Sequence, residues 1–331
     1  MISFTKKEAR EYLVRYHRIN TNDELYGEDG ILKIMDQIHF LQYDPLDVIG
    51  KNTDLTLQAR IKNYRKGDIN HSLYTTKTLL DGWDKMMGVV LSKDYNLLEE
   101  VRKWRTALEL NTLKKRLQID ALKYEDAILE LIKEGPKFAK DINHGEKITQ
   151  LWGHTKTSTA TLDYLFHKGL IGVNKRNNTQ KQYDLMENLI GDHFKPSTLT
   201  VNEFKSYYLL RRIETLGIMR NKKGIHLAGP YIYDNETRNN IIKKLLEQSL
   251  IQEVRVEGVK ELCYISSKYQ NLSNKITSKI TFLAPLDNIL YDRDFIEQVF
   301  DFKYRWEVHT AKDAREYGYY VLPILYKENL I

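Results

Sequence analysis

The chain has 331 residues, of which 42% are hydrophobic and 29% are charged. This length and balance are typical of a globular protein with two or three domains. The net charge of +6 is only mildly basic, because 45 acidic residues offset 51 basic ones. Nucleic acid is therefore permitted as a partner but not established.

Residue usage and motif searches exclude several kinds of site. Cys263 is the sole cysteine, so we expect no disulfide, no multi-cysteine metal site and a reducing cytoplasmic setting, with Cys263 as a core residue. The nine histidines show no HExxH spacing, and no glycine-rich phosphate loop or Gly-x-Ser-x-Gly elbow occurs. We expect no metal and no cofactor. The charged N-terminus and the lack of an apolar run of about 18 residues predict neither secretion nor a membrane span.

Caps and apolar spacing predict the first two helices. One begins after Ser3 or Thr5, either of which can cap it. The second covers roughly residues 30 to 40, where Ile31 and Ile38 lie on one apolar face.

The second helix leads into FLQYDPLDVIGKNTDLTLQARI, residues 40 to 61. Pro45 stops the helix and pushes Asp44 out of the helical region, so the chain turns there. Gln42 and Asp44 are two residues apart and face the same way in an extended segment. Two interpretations stay open: Asp44 bonds to its own turn and Gln42 is solvated, or the amide and the carboxylate form a functional pair.

Residues 62 to 118 are predicted to be mostly helical, most clearly from residue 73 onward. The apolar residues expected in the core of this region are Leu79, Leu80, Trp83, Met86 and Met87.

Three helices are predicted between residues 121 and 195. An amphipathic helix covers 124 to 132, and a short helix lies near 149 to 152. A third helix covers 157 to 168, with Gly169 as its C-terminal cap.

A hairpin pattern follows the third helix, with strands at residues 170 to 173 and 182 to 185 around the polar turn KRNNTQK. Three helices followed by a basic hairpin are typical of a winged helix. In such a domain the third helix enters the major groove and the hairpin contacts the DNA backbone.

A similar order of helices followed by a hairpin is predicted between residues 196 and 270. Helices are predicted at 201–216 and 238–250, and strands at 251–256 and 261–265 flank the turn EGVK. This predicts a second hairpin wing on a weaker helical body.

Alternating apolar residues at 304–308 and 319–325 predict strands of a small β domain at the end of the chain.

Two blocks of the sequence resemble a known family. The first is LQYDPLDVI with LTLQAR downstream, and the second runs from Leu283 to Tyr326. In this order they resemble the bacterial winged-helix DNA glycosylases that unhook interstrand crosslinks, the AlkZ and YcaQ family. The resemblance spans nearly the whole chain, although the part between the blocks matches by pattern more than by residue.

The resemblance implies an α+β fold of tandem winged-helix units followed by a small β domain. Residues 1–120 would form an N-terminal winged-helix-like unit with the catalytic motif and a helical extension. Residues 121–195 and 196–270 would form the second and third winged helices, and residues 271–331 the C-terminal β domain. Because family members usually continue with further strands, we expect that last domain to be incomplete.

The resemblance also implies a catalytic pair. The family's catalytic Gln-x-Gln or Gln-x-Asp motif falls on Gln42 and Asp44, in the Gln-x-Asp version associated with the YcaQ branch. Asp44 would stabilise an oxocarbenium-like sugar and orient the attacking water with Gln42. The expected activity is that of a monofunctional DNA glycosylase that excises N7-alkylated purines and unhooks interstrand crosslinks. Because a crosslinked base cannot swing fully out of the duplex, no tight pocket for a flipped base is expected.

The expected partner is double-stranded DNA with alkylated or crosslinked bases, bound by a monomer. Asp287, Asn288 and the stretch from Tyr317 to Tyr320 match the family blocks, and we expect structural roles for them. Basic residues near the motif, in the wing and in the C-terminal block are candidates for phosphate contacts, and each can equally be a solvated charge. These candidates are Lys51, Arg60, Lys175, Arg176, Arg293, Arg305 and Arg315.

Two other functions stay open. Tandem winged helices alone would suffice for a non-catalytic transcriptional regulator, which would bind a defined operator and tolerate changes at Gln42 and Asp44. A dedicated self-resistance enzyme for one natural toxin belongs to the Gln-x-Gln branch, and Asp44 argues against it.

Overall fold

The computed structural model describes residues 2–117, 120–142, 147–150, 153–177, 179–227 and 229–331. The helices are α1 Lys6–Tyr16, α2 Gly27–Ile38, α3 Asn52–Gln58, α4 Ile69–Tyr74, α5 Glu99–Thr112, α6 Glu125–Lys133, α7 Thr157–Lys168, α8 Met186–Ile190, α9 Val201–Leu216, α10 Asn235–Glu247 and α11 Arg293–Phe300. The strands are β1 Ile2–Phe4, β2 Phe40–Gln42, β3 Leu79–Trp83, β4 Met87–Leu91, β5 Lys137–Phe138, β6 Lys147–Gln150, β7 Gly153–Lys156, β8 Ile171–Asn177, β9 Gln180–Leu185, β10 Met219–Arg220, β11 Ile251–Val256, β12 Cys263–Ser266, β13 Ile280–Phe282, β14 Ile324–Tyr326 and β15 Asn329–Leu330.

The chain divides into two compact units. The outer unit consists of residues 1–69 and 200–331, and the inserted unit consists of residues 70–199. The outer unit is therefore discontinuous in sequence. The division into four domains drawn from the sequence stays a prediction.

Helix α1 begins where the sequence places a cap. The Thr5 hydroxyl accepts a hydrogen bond from the Glu8 backbone N–H at 3.2 Å, and the Glu8 carboxylate accepts one from the Thr5 N–H at 2.8 Å. This reciprocal pair is a capping box. The buried residues Ala9 and Leu13 follow at helical spacing, and α1 packs against α11.

The main sheet of the outer unit joins the N-terminal strand to residues 219–266. Its strands lie in the order β1, β11, β12, β10, and β1 runs parallel to β11 with Ile2 opposite Val254. Strands β11 and β12 are antiparallel, which confirms the predicted second hairpin. Cys263 in β12 is fully buried, as predicted. Helix α9 packs on β12 and also contacts α2 and α10.

The predicted C-terminal strands are only partly present. Strands β13, β14 and β15 form a small antiparallel sheet, but of residues 319–325 only the last two belong to a strand. The prediction of a strand at 304–308 is wrong. Side chains rather than a strand ladder fix this segment: the Glu307 carboxylate accepts backbone hydrogen bonds from residues 316 to 318.

The inserted unit corrects one helix prediction. Residues 79–83 and 87–91 form the antiparallel hairpin of β3 and β4, with Leu79 opposite Leu91 and Trp83 opposite Met87. Four of the five apolar residues expected in the core are therefore on strands. Met86 lies in the turn between the strands and is 41% exposed, so its expected place in the core is wrong. Short apolar runs fit both helical and strand spacing, so periodicity alone does not separate the two. Helix α5 follows within the predicted helix-rich region.

The helices and the wing of the inserted unit agree with the prediction except at one helix. Helices α6 and α7 and the antiparallel pair β8 and β9 are present, although Asn178 at the turn lies outside the described residues. The prediction of a short helix near 149–152 is wrong at residues 149–150, which belong to β6 and pair with β7. Residues 151–152 lie outside the described residues.

Helix α7 is largely buried in the inserted unit, and its predicted entry into the major groove stays a prediction. The helix packs against α5 and α6, and Leu162, Leu165 and Phe166 belong to the core of the inserted unit. Most of its residues are buried, and Lys168 at its end is exposed.

Gly169 terminates α7 in a conformation that favours glycine. Its φ of +81° lies in the left-handed region, and its N–H donates to the Leu165 carbonyl at 3.0 Å. A Cβ at this position would also collide with the Tyr95 hydroxyl. We expect Gly169→Ala to lower the free energy of unfolding by more than about 1 kcal/mol, measured by urea denaturation. Gly135→Ala, where a Cβ meets nothing within 4 Å, is the matched control. Equal losses in the two variants would contradict the role of the Tyr95 contact.

In the part of the chain that the structure describes, no helix is long and apolar enough to span a bilayer.

Candidate active site

The Gln-x-Asp motif lies on a turn of the outer unit. Helix α2 ends at Ile38, and His39 adopts a left-handed backbone conformation with φ 63°, after which the chain enters β2. Strand β2 ends at Gln42, and the residues that follow form the turn before α3. The side chains of Gln42 and Asp44 are both half-buried.

One carboxylate oxygen of Asp44 is fixed. Asp44 Oδ1 accepts a hydrogen bond from the Leu46 backbone N–H at 2.8 Å, as expected for a carboxylate that caps its own turn. Among the described residues, no hydrogen bond reaches Oδ2 or the Gln42 side-chain amide. The turn therefore orients the carboxylate and leaves one oxygen and a neighbouring amide available to water or a ligand.

Two buried asparagines hold the motif against the C-terminal block. Asn52 Nδ2 donates to the Gln42 carbonyl at 2.9 Å, and Asn52 Oδ1 accepts from the Leu286 N–H at 3.0 Å. Asn288 Nδ2 donates to the Phe40 carbonyl at 2.8 Å. The two sequence blocks that resemble the family thus meet in the structure, and the structural role expected of Asn288 is confirmed.

Arg60 is a buried structural residue. Its guanidinium forms two hydrogen bonds with the Asp287 carboxylate, at 2.8 and 2.7 Å, and neither side chain has exposed surface. Planar, bidentate pairing of this kind is geometrically specific. Because the Arg60 guanidinium is inaccessible, this placement contradicts the expectation that Arg60 contacts DNA phosphates. The same ion pair gives Asp287 the structural role expected of that residue.

Arg176 in the wing is also engaged by the protein. Its Nη2 atom lies 2.6 Å from Asp81 Oδ1, and the two side chains are 8% and 2% exposed. A phosphate contact from Arg176 would leave the buried Asp81 without this partner, so this expectation is revised as well. Lys175, the preceding residue, is exposed.

The remaining basic candidates lie in the outer unit with Gln42 and Asp44. Lys51 is half-buried and Arg305 is exposed. The Arg293 guanidinium lies over the Tyr304 ring at 5.3 Å, and that of Arg315 lies over the ring of the neighbouring Tyr319 at 5.0 Å.

Tyr320, for which the sequence predicted only a structural role, is electrostatically coupled to Asp44 of the motif. Burial raises the pKa of its phenol, and the nearby carboxylates of Asp44 and Asp47 raise this pKa further. Its ring meets Trp306 edge to face, with centroids 6.3 Å apart. The position of Tyr320 inside the second family block was the available signal.

Glu307 anchors the segment that carries Tyr320. Its buried carboxylate accepts hydrogen bonds from the backbone N–H groups of Glu316, Tyr317 and Gly318 at 3.0, 2.8 and 3.2 Å. These bonds favour the charged form, so they lower the pKa of the Glu307 carboxyl.

Glu307 therefore predicts a pH-dependent contribution to stability. A lowered folded-state pKa stabilises the protein above the usual carboxyl pKa, and this stabilisation is lost as pH falls through the folded-state pKa. We expect Glu307→Gln to melt at a lower temperature than the wild type near pH 7, with the difference shrinking at acidic pH. Thermal unfolding from pH 7 to pH 3 tests this, and a difference independent of pH would contradict it.

Among the described residues, no group of histidine, cysteine and acidic side chains could hold a metal ion.

Comparison with known proteins identifies the family. The chain is similar in structure to the Streptomyces sahachiroi DNA glycosylase AlkZ, with a TM-score of 0.64 and 9% sequence identity over 97% of this chain and 86% of that chain. At this identity the likeness shows the fold alone. A family model described as AlkZ-like DNA glycosylase matches residues 35–331, which include both sequence blocks. The chain therefore belongs to the AlkZ-like DNA glycosylase family and is a DNA repair enzyme that hydrolyses N-glycosidic bonds.

Proposed function

We propose that Gln42 and Asp44 are the catalytic pair of a monofunctional DNA glycosylase of the Gln-x-Asp branch, which excises N7-alkylated purines and unhooks interstrand crosslinks. The observation that carries the proposal is the Asp44 carboxylate. It is half-exposed, it is oriented through one oxygen by the Leu46 N–H, and it stands on a turn that the buried Asn52 fixes to the C-terminal block.

The chemistry of the substrate explains why one carboxylate suffices. Breaking the bond between C1′ and the purine nitrogen passes through a transition state with positive charge on the sugar, which a fixed carboxylate stabilises. An N7-alkylated guanine is already cationic and leaves without being protonated, so the second carboxylate of a typical glycosidase is not required. Asp44 stabilises the sugar, and Gln42, which both donates and accepts hydrogen bonds, positions the attacking water.

Crosslink unhooking uses the same pair. A base tethered to the opposite strand cannot rotate fully into a deep pocket, so the turn has to act on a base that stays near the helix. We propose that the enzyme acts as a monomer in the cytoplasm, on chromosomal DNA.

In this proposal the accessible basic residues contact the DNA phosphates, and the buried Arg60 and Arg176 do not. The proposed phosphate contacts are Lys51, Lys175, Arg293, Arg305 and Arg315.

Lys175 gives a test of phosphate contact. Each cation that neutralises a phosphate releases counterions, so we expect Lys175→Ala to reduce the slope of log affinity against log salt by about 1. Base release at saturating enzyme should not change. Lys133→Ala, which removes another exposed lysine of the inserted unit, is the control and should leave the slope unchanged. An unchanged slope in Lys175→Ala would remove this residue from the DNA surface.

Single-turnover base release tests the proposed function. Duplexes carrying one N7-methylguanine or one nitrogen-mustard crosslink should each lose the base, and sodium borohydride should trap no protein–DNA adduct because no Schiff base forms. Sequence-specific binding without base release would instead favour a transcriptional regulator. A borohydride-trapped adduct would contradict the monofunctional mechanism.

A further inference from the structure

An aromatic pair lies in the outer unit, which also carries the motif. The rings of Trp306 and Tyr320 meet edge to face at 6.3 Å, and both side chains are half-exposed. Two interactions fix the segment that carries Tyr320: the Glu307 carboxylate binds backbone N–H groups ahead of it, and the Tyr304 hydroxyl donates to the Val321 carbonyl at 2.9 Å just after it. The pair is therefore a preformed surface.

Neighbouring tyrosines already carry a cation. The guanidinium groups of Arg293 and Arg315 lie over Tyr304 and Tyr319. Among the described residues, no lysine or arginine lies over the ring of Trp306 or Tyr320. An aromatic face attracts a cation through its quadrupole, so this pair has an unfilled capacity for one.

Two carboxylates act on Tyr320 in a way that favours a cationic ligand. The carboxylates of Asp44 and Asp47 act electrostatically on Tyr320, and Asp47 is neutralised in part by Lys66 at 2.8 Å. Asp44 forms no ion pair among the described residues. An aromatic surface beside an unneutralised carboxylate suits a flat, positively charged group.

We propose that Trp306 and Tyr320 form a binding subsite for the charged purine of the substrate, with the Tyr320 ring against the cationic N7-alkylated base and Asp44 against its sugar. This inference rests on the proposed function and names the base-recognition surface of the same site.

The reaction itself changes the strength of this contact. When the C1′–N9 bond breaks, its electron pair moves to the purine and neutralises the cation, while positive charge develops on the sugar and water supplies the new oxygen at C1′ with loss of a proton. The aromatic contact is thus strongest with the bound substrate, and the carboxylate contact is strongest in the transition state. An interaction that is not stronger in the transition state lowers KM without raising kcat. Loss of the Tyr320 ring should therefore weaken binding of the cationic lesion and leave the rate at saturation close to that of the wild type.

Equilibrium binding to two non-cleaved duplexes tests the subsite. One carries 2′-fluoro-N7-methyl-deoxyguanosine, a cation that resists hydrolysis, and the other carries 7-methyl-7-deaza-deoxyguanosine, a neutral isostere. We expect the wild type to prefer the cation by about five- to thirtyfold. Tyr320→Leu should lose this preference, and Tyr320→Phe, which keeps the ring, should retain it. Tyr319→Leu, which removes an adjacent ring already covered by Arg315, is the matched control and should also retain it.

Either of two results would overturn the subsite: no preference in the wild type, or a full preference in folded Tyr320→Leu. If Tyr320→Leu fails to fold by circular dichroism, Tyr320→Gln replaces it under the same criterion. Base release from N7-methylguanine by the wild type is measured in parallel. Its absence would refute the proposed function, whereas normal release with an unaltered cation preference in the variant would refute the subsite alone.

Discussion

Asp44→Asn is expected to slow single-turnover release of N7-methylguanine by about 10²- to 10³-fold, the usual cost of removing one preorganised electrostatic contact from a transition state. Asparagine is nearly isosteric with aspartate, and its Oδ1 can still accept the hydrogen bond from the Leu46 N–H. The turn therefore persists while the negative charge opposite the developing sugar cation is lost. DNA binding should remain close to that of the wild type.

Asp47→Asn is the matched control for this change. Asp47 lies three residues further along the chain and is ion-paired with Lys66, so removing its charge should leave the rate nearly unchanged. Gln42→Ala should also reduce release, because the attacking water loses its amide contact. Wild-type release by folded Asp44→Asn would show that the carboxylate is not catalytic.

Arg60→Ala is expected to lower the free energy of unfolding by about 3–5 kcal/mol, because it leaves the Asp287 carboxylate charged, buried and without its bidentate partner. The measurement is chemical denaturation followed by circular dichroism. Lys62→Ala removes an exposed cation that pairs with Glu24 and is the control, with an expected cost of about 0–1 kcal/mol.

A double variant shows whether Arg60 and Asp287 stabilise the protein as one ion pair or independently of each other. Arg60→Ala combined with Asp287→Ala should cost less than the sum of the single variants, because residues in one ion pair are not additive. The opposite outcome, unchanged stability together with weaker DNA binding in Arg60→Ala, would restore the initial interpretation of Arg60 as a phosphate contact.

Features set by neighbouring residues could be predicted from the sequence. A cap at Thr5 and a glycine at position 169 define helix ends through interactions within a few residues, and both are present. The turn at Asp44 follows in the same way from Pro45.

Features set by distant partners could not be predicted from local pattern. Arg60 and Asp287 are 227 residues apart in sequence, and Arg176 and Asp81 are 95 residues apart. An arginine that is buried by such a partner is indistinguishable in sequence from one that faces solvent. The strands at 79–91 were missed for a related reason, since a short apolar run takes its final state from the elements that cover it.

The pairing of β1 with β11 also has a consequence for the order in which the protein can assemble. Ile2 lies opposite Val254, and the turn that carries Gln42 and Asp44 is tied to Leu286. A growing polypeptide therefore keeps its earliest residues unpaired until these late ones leave the ribosome. Residues 70–199, in contrast, contain their own core and are synthesised earlier. Pairing across such a separation slows folding and prolongs the exposure of unpaired edges. We therefore expect chaperones to bind nascent chains mainly at residues 1–69. Activity should appear only after the region around Leu286 has been synthesised.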